Sequence, residues 1–421
     1  MLHALAIVGG GSLLVFGSRF LLNFFGPAVP YSMPDNLDYT LDSDEFIQFL
    51  SRVTGGALRE ATLKRLKNGS EFYPAELKAI RGAKRSICIE FYEFSPGEIG
   101  DQMVAALTER AAAGVKVQIT VDAMGSVGTH CSFFEPAIAA GAKMYFYHPL
   151  RWNTWQRVNN RTHRKLIVVD GRIGFIGGAG IADHWQKPTD LGPTWRDTVF
   201  QVGGDAVGGL VSTFAQNWLD VSGAILSGPE NYECDKKKGP LSFVVASTPR
   251  DGGTQARVLF QVLIQCAKHS ICITTPYFLP DRSARQALIE AVKRGVKVKV
   301  LTAGPHIDHP MVRTLSHHST RRVVEAGVEI YEYQPSMIHA KLLTVDGQWS
   351  VIGSANFDHR SFALNDEVNM AIMDRELASI IDADFQEDLT HSKRVTLEML
   401  NHLSVLDGAL VAVAPFITRE S

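Results

Sequence analysis

Two histidine–lysine–aspartate frames carry the chemistry that this sequence can do. In the later one, MIHAKLLTVDGQWSVIGSANFD, His339, Lys341 and Asp346 stand in an H-x-K-x4-D arrangement, followed by Gly353, Ser354 and Asn356. In the earlier one, NRTHRKLIVVDGRIGFIGGAG, His163, Lys165 and Asp170 repeat it, with Gly177 and Gly178 at the offsets of Gly353 and Ser354. Each frame runs through an apolar stretch, LIVV or LLTV, into a Gly-rich turn, so the two read as duplicated catalytic halves. A His and a Lys two apart on extended backbone project from the same face and can address one substrate together. Two such halves meeting at a pseudo-two-fold axis would bring two imidazoles and two ammonium groups into one pocket. That set suits a phosphodiester: the cations hold the charged oxygens, one imidazole attacks phosphorus and the other protonates the leaving alcohol. The lysines supply the positive charge, so this chemistry requires no metal, and no cofactor is implied.

The chain around the frames repeats as well. AIRGAKRSICIEFYEF (79–94) pairs with LIQCAKHSICITTPYF (263–278), AAAGVKVQITVDA with AVKRGVKVKVLTA, and GAKMYFY (141–147) with GVEIYEY (327–333). Helical stretches such as 101–113 and 283–294 lie between apolar β-branched runs, the pattern of α/β units with buried strands. The expected fold is α/β, with lobe 1 over 68–225, a linker over 226–244 that contains PENYECDKKKGP, and lobe 2 over 245–405. Only the first repeat carries an insertion, HPLRWNTWQRVNN, between its third strand and His163. Its Arg151, Arg157 and Arg161, with Trp152 and Trp155, could wall in a phosphate and headgroup, and Arg161 is the candidate substrate-binding residue among them. The stretch reads equally as an exposed loop whose stems pack on the lobe.

With its duplicated H-x-K-x4-D element the chain resembles the phospholipase D superfamily. Within it, TPYFLPD, GVEIYEYQPSMIHAK, GSANFDHRSFALNDEVN and WRDT are similar to the bacterial cardiolipin synthase branch, and the similarity covers about residues 68 to 405. The resemblance implies two tandem phospholipase D-type α/β/α sandwich lobes related by pseudo-two-fold symmetry. It also implies transfer of a phosphatidyl group from one phosphatidylglycerol, through a phosphohistidine, to the hydroxyl of a second, giving cardiolipin and glycerol. In that scheme His163 is the nucleophile and His339 the general acid, then base; the near symmetry of the repeats does not itself fix that order.

The stretches WRDTVFQVGGDA and LNDEVNMAIMDR align, which sets Asp197 and Glu367 at equivalent positions downstream of the histidines. In the resembled family an acid here accepts a hydrogen bond from the other nitrogen of the catalytic imidazole, and both are assigned that role. Asp170 and Asp346 complete the signature and count with the catalytic set. Each, however, follows an apolar strand at an Asp-Gly turn, so its expected task is structural: fixing the turn or pairing with a base. Ser354, Asn356, Gly177 and Gly178 are candidate substrate-binding residues, the glycines by close backbone approach to phosphate. Where the second repeat reads Gly-Ser-Ala-Asn (353–356) the first reads Gly-Gly-Ala-Gly (177–180), so two hydrogen-bonding side chains are absent from the first copy. Gly180 in place of Asn departs from the family pattern and argues against a symmetric division of labour.

The bulk composition bounds the rest. A chain of 421 residues, 45% of them hydrophobic, can fill two cores. Lys plus Arg number 42 against 44 acids, a balance that argues against broad nucleic-acid coating and against a nuclease of the same fold. Five cysteines without a CxxC pair argue against a disulfide framework or structural zinc, and Cys88 and Cys272, equivalent in the repeated SICI, are expected as buried thiols. The cluster His306, His309, His317 and His318 is read as a solvated helix ahead of the third strand rather than a metal site.

Residues 2–25 are apolar apart from Arg19 and a few small or polar residues. As a helix they would span roughly 36 Å at about 1.5 Å per residue, enough to cross a bilayer. The expected arrangement is a membrane-anchor helix over 1–25, a lead-in over 26–67 and an apolar tail over 406–421 that docks on the body or the membrane. Arg19 on the C-terminal flank leans the catalytic body toward the cytoplasmic face of the bacterial inner membrane. The expected partners are phospholipids and the membrane, with no nucleic acid; the oligomeric state is not legible. A phospholipase D hydrolase would use the same residues and admit water to release phosphatidic acid. A non-enzymatic scaffold would need degenerate motifs, and both His–Lys pairs are intact.

Overall fold

The computed structural model describes residues 39–149, 157, 159–232, 237–249 and 254–401. The apolar segment 2–25, the tail 406–421, and Arg151, Trp152 and Trp155 of the insertion lie outside the described residues.

The strands of the first half, in chain order, are β1 (Arg59–Glu60), β2 (Thr62–Lys67), β3 (Ser86–Phe91), β4 (Lys116–Asp122), β5 (Lys143–Tyr147), β6 (Arg161–Thr162), β7 (Leu166–Val169), β8 (Ile173–Gly177) and β9 (Thr198–Gly203). Those of the second are β10 (Leu241–Ser247), β11 (Ser270–Thr274), β12 (Phe278–Leu279), β13 (Lys297–Ala303), β14 (Glu329–Tyr333), β15 (Leu342–Val345), β16 (Trp349–Gly353), β17 (Phe357–Asp358), β18 (Asn365–Met373) and β19 (Ser392–Arg394). Among the described residues one sheet has the order β2-β9-β8-β7-β3-β4-β5 and the other β1-β10-β18-β16-β15-β11-β13-β14-β19. The run β9-β8-β7-β3-β4-β5 matches β18-β16-β15-β11-β13-β14 strand for strand, so the sequence repeat is a structural repeat. In each, the strand that follows the His–Lys frame lies antiparallel to the SICI strand, which is itself parallel to the next strand outward.

Central strands apolar on both faces need cover on both. Ile87, Ile89, Ile167 and Val169 point into the core of the first lobe, and Ile271, Ile273, Leu343 and Val345 into that of the second. The alternate residues Cys88, Leu166 and Val168 face a third core shared with Leu342, Ile352 and Met370. Leu210 and Phe214 of helix Val207–Ser222, with Leu377 and Ile381 of helix Arg375–Thr390, complete that shared core. Each such side chain withdrawn from water is worth about 1.5–3 kcal/mol, so the lobes are fused by packing rather than hinged. Cys88 is buried as expected, whereas Cys272 is only half-buried.

The stretch expected as a lead-in is, in its described part, built into both sheets. β1 pairs with β10 at one edge of the second sheet and β2 with β9 at one edge of the first. Ahead of them, helix Asp44–Val53 is capped by Ser43, whose Oγ accepts the Phe46 N–H at 3.1 Å. Phe46 meets Trp349 edge-on at 5.8 Å, and the Trp349 indole N–H donates to the Leu41 carbonyl at 2.7 Å.

Candidate active site

β6 and β18 belong to different halves yet pair in parallel, Arg161 with Asn365 and Thr162 with Asp366. The His163 N–H continues this pairing, donating to the Asp366 carbonyl at 2.8 Å, and so sets the imidazole beside Glu367. His163 Nδ1 lies 3.0 and 3.1 Å from the two Glu367 carboxylate oxygens. The interface repeats the device at its other end. Arg196 bridges Ile338 in parallel, with the Arg196 N–H donating to the Met337 carbonyl at 2.8 Å and the His339 N–H to the Arg196 carbonyl at 2.7 Å. His339 Nδ1 then lies 3.0 Å from Asp197 Oδ2. A carboxylate only accepts, so each Nδ1 carries the proton and each Nε2 keeps its lone pair. Each acid serves the histidine of the opposite half.

Both carboxylates are wholly buried. Lys165 Nζ donates to the His163 carbonyl at 2.8 Å and lies 5.4 Å from the Tyr92 ring centre. Lys341 Nζ donates to the His339 carbonyl and lies 2.9 and 3.0 Å from its ring nitrogens. Burial pushes the His163 imidazole down to about 4, against the opposing pull of Glu367. Burial and then the two ammonium groups push His339 well below its usual range. Both rings are therefore neutral near pH 7. Burial brings Lys341 down to about 8, and burial with the Lys341 charge takes Lys165 well below the usual lysine range. Burial alone would raise either acid, but the charge and hydrogen bond of His163, helped by Lys165, carry Glu367 below the ordinary carboxylate range. Asp197 stays raised by its burial despite Lys341 and the Thr198 N–H. A phosphodiester anion between the ammonium groups offsets their mutual repulsion and favours the charged form of both lysines and of the imidazoles.

The carboxylates are themselves held differently in the two halves. The Ser354 hydroxyl donates to Glu367 Oε2. Gly178, its equivalent, has no side chain to do so, and a Cβ there would lie 2.6 Å from the His339 carbonyl oxygen and 2.7 Å from Asp197 Oδ1. Asp197 is held instead by the Thr198 N–H at 2.7 Å and by the Trp185 indole N–H at 3.0 Å. The far edge of the same indole comes within 3.1 Å of where a Cβ on Gly180 would stand. Trp185 thus takes over the hydrogen bond that a serine makes in the second half and fills room at Gly180 where that half has an asparagine. Sequence reasoning missed it, although the two glycines were the signal. The glycines do not open the backbone to phosphate: a Cβ on Gly177 would meet the Thr198 carbonyl at 2.7 Å, and neither Gly177 nor Gly178 lines the cavity. Ser354 likewise meets Glu367 rather than the cavity, whereas Asn356 lines it.

Asp170 and Asp346 stand apart from the cavity. Both take left-handed backbone, φ 54° and 53°, at their Asp-Gly turns. The Asp170 carboxylate accepts the N–H groups of Lys84, Arg85 and Ser86 at 2.9, 2.7 and 2.9 Å. The Asp346 carboxylate accepts those of Lys268, His269 and Ser270 at 2.8, 2.8 and 2.7 Å. They fasten the turn after the catalytic strand to the start of its neighbour, which is the structural task the turns suggested. Arg161 lines the cavity while its guanidinium donates to the carbonyls of Asn160, His148 and Arg157. Arg157 turns away to Asp220 at 3.1 Å. The histidine cluster is not uniformly solvated: His309 lines the cavity, and His317 Nε2 lies 2.6 Å from Glu332, which also takes both forks of Arg313. Among the described residues no group of His, Cys, Asp and Glu is placed to hold a metal.

The cavity measures about 390 Å³. Its lining joins His163, Lys165 and His339 to the cations Arg161 and Arg360, the carboxylates Glu93 and Asp308, and apolar Leu279, Val312, Leu315, Trp185 and Trp195. Such a lining takes an anionic headgroup together with the first part of an apolar chain.

The family described as cardiolipin synthase, PLD-like domain, matches residues 77–185 and 261–389. The chain is 35% identical over 359 residues to cardiolipin synthase A of Pseudomonas aeruginosa (strain LESB58), covering 82% of this chain and 72% of that one. It is 34% identical over 337 residues to cardiolipin synthase 1 of Staphylococcus aureus (strain COL), covering 79% and 68%. Among solved structures, phosphatidylserine synthase of Haemophilus influenzae Rd KW20 superposes with a TM-score of 0.67 at 13% identity, over 89% of this chain and 98% of that one. Polyphosphate kinase from Porphyromonas gingivalis reaches 0.56 at 12% identity, over 88% and 52%; both share the fold. The two lobes and the His–Lys pairs between them define an enzyme of the phospholipase D-type phosphatidyltransferase class. Within that class, the chain belongs to the cardiolipin synthase family.

Proposed function

We propose that this protein joins two phosphatidylglycerol molecules into cardiolipin and glycerol through a phosphohistidine. His339 takes up a proton at Nε2 as the phosphodiester anion binds; His163 Nε2 then attacks phosphorus, the bond from phosphorus to the glycerol oxygen breaks, and His339 gives that oxygen its Nε2 proton. A second phosphatidylglycerol then presents its terminal hydroxyl. His339 takes the proton back, the new oxygen–phosphorus bond forms, and His163 is released. Lys165 and Lys341 hold the phosphate oxygens throughout. One phosphodiester replaces another, so no outside energy source enters.

The observation that carries this reading is the pair of imidazoles, each committed through Nδ1 to a buried carboxylate, which leaves Nε2 of one to attack and Nε2 of the other to carry the proton. The assignment of nucleophile to His163 is supported by its partner Glu367, which stays ionised and so stabilises the cationic ring of a phosphohistidine. Asp197, raised by burial, suits a histidine that passes a proton back and forth. In the same reading the apolar segment 2–25 holds the body at the bacterial inner membrane, facing the cytoplasm, where the substrate lies.

The test is product analysis with phosphatidylglycerol as sole substrate. Cardiolipin and free glycerol are expected in near-equal amounts with little phosphatidic acid. Because water is present at roughly 55 M, a transferase must give its acceptor an effective molarity far above that, on the order of 10⁵ M. Phosphatidic acid as the main product at high lipid density overturns the reading in favour of hydrolysis. A rapid alkaline quench of the wild type with labelled donor should trap the phosphatidyl group on His163, and His163→Ala should trap none.

A further inference from the structure

Glu93 stands where the second half has Tyr277, near the end of the aligned stretches 79–94 and 263–278. Its side chain lines the same cavity as His163, His339 and Lys165. Glu93 and Trp185 share the space left at Gly180: a Cβ there would lie 3.1 Å from Glu93 Cβ and 3.1 Å from the Trp185 ring. An asparagine at 180, as the second half has at 356, would displace them. The first half has thus exchanged an amide at the reaction centre for a carboxylate.

That carboxylate is incompletely used. Oε1 accepts the Ser95 hydroxyl at 3.2 Å, and His184 Nε2 stands 3.9 Å from Oε2, beyond hydrogen-bond reach. The side chain is 26% exposed, toward the cavity it lines. Above its midpoint, where the carboxyl is ionised, it accepts and does not donate, so what it binds there brings a proton, and a second phosphate is repelled. Lys165, Arg161 and Arg360 in the same lining suit the phosphate. The polar lining therefore divides by charge: cations for phosphate, and acids for groups that donate, Asp308 being engaged by the Tyr277 hydroxyl and Asp358 by the Ser361 N–H.

We propose that Glu93 is an alcohol subsite, its carboxylate accepting a hydrogen bond from a hydroxyl next to the reacting one, so that vicinal diols such as a glycerol headgroup are preferred over simple alcohols. This rests on the phosphatidyl-transfer reading above. In the second step the alcohol oxygen bonds to phosphorus, the phosphorus–Nε2 bond breaks and the proton goes to His339; Glu93 holds the neighbouring hydroxyl and takes no part in the bond exchange.

The experiment is a competition between labelled glycerol and 1-propanol for the phosphatidyl group, with the full chain in mixed micelles of phosphatidylglycerol. Burial pushes the Glu93 carboxyl up to about 7, against Ser95 and Lys165, so pH 7.5 keeps it largely ionised. The ratio of phosphatidylglycerol formed to phosphatidylpropanol formed is the readout. Glu93→Leu is expected to lower it about tenfold, the loss of one hydrogen bond of about 1.4 kcal/mol to a charged group. Glu93→Gln, isosteric and still an acceptor, should lower it about threefold with an unchanged melting temperature. A ratio within twofold of wild type in both variants, or an equal loss with both alcohols because Glu93 acts only on Lys165, overturns the subsite. If the wild type forms neither ester and releases only phosphatidic acid, the transfer reading falls and the subsite with it.

Discussion

Trp185 donates its indole N–H to Asp197 at 3.0 Å, the service that the Ser354 hydroxyl performs for Glu367. The two halves keep the same histidine, lysine and acid, yet support the acid by unrelated chemistry. Trp185→Phe removes the donor and keeps most of the packing. It should lower turnover about tenfold, the worth of one charge-assisted hydrogen bond. In an Asp197→Asn background the same change should cost less than threefold, because the carboxylate it serves is gone. Equal losses in both backgrounds would reduce Trp185 to a packing residue.

The crossed pairing predicts which variants act as one unit. His163→Ala and His339→Ala should each lose at least about 10²–10⁴-fold in kcat. Glu367→Gln should add little to His163→Ala, and Asp197→Asn little to His339→Ala, since each acid acts through its ring. The combination of Glu367→Gln with Asp197→Asn should multiply. Kinetics of the double variants decide the matter, and coupling of Asp197 to His163 would refute the crossing.

Lys341 predicts the alkaline limb of activity. Burial holds its ammonium at about 8, so the charge proposed to hold phosphate is present below that pH and lost above it. The value of kcat/KM should therefore fall as pH rises through about 8. Lys341→Arg keeps a guanidinium charged throughout that range, so its profile should differ from the wild type's, and the alkaline fall that remains belongs to Lys165, which burial and the neighbouring cation hold well below the usual lysine range. On the acid side His163 titrates at about 4, so activity should hold down to that region before the nucleophile is protonated. A profile identical in both enzymes removes Lys341 from the alkaline limb.

Asp170 and Asp346 predict stability effects without large catalytic ones. Either change to Ala strips the acceptor from three backbone N–H groups and leaves a positive-φ turn to a residue that resists it. A loss of about 1–3 kcal/mol in urea unfolding is expected for each. Turnover per folded molecule should remain within threefold of wild type. A collapse of turnover at unchanged stability would return both acids to the chemistry.

The repeat, the lobe order and the identities of the two histidines, lysines and supporting acids were all legible, because duplication prints the same residues twice. The crossing was not. Two near-identical frames look the same whether each acid serves its own half or the other, and the parallel contact of Thr162 with Asp366 that decides it spans more than two hundred residues of sequence. β2 escaped notice for a different reason. TLKRLK is an edge strand, charged as exposed edges are, so it lacks the apolar run that marks its buried neighbours. Trp185 was hidden because its partner in the other half is a serine thirteen residues from its acid, and nothing in composition equates the two. The glycines at 178 and 180 looked like losses; in three dimensions they stand where their neighbours leave no room for a side chain.

The exchange of acids across the interface also bears on the life of the molecule before it is finished. A chain emerging during synthesis lacks Glu367 and the second half of the shared core until its later residues are made, and until then His163 has neither its orienting carboxylate nor the second histidine. Such a half-built chain lacks the paired acids that the finished site requires. The same interlock holds in reverse: if the lobes part through damage or heat, both histidines lose their acids in one event.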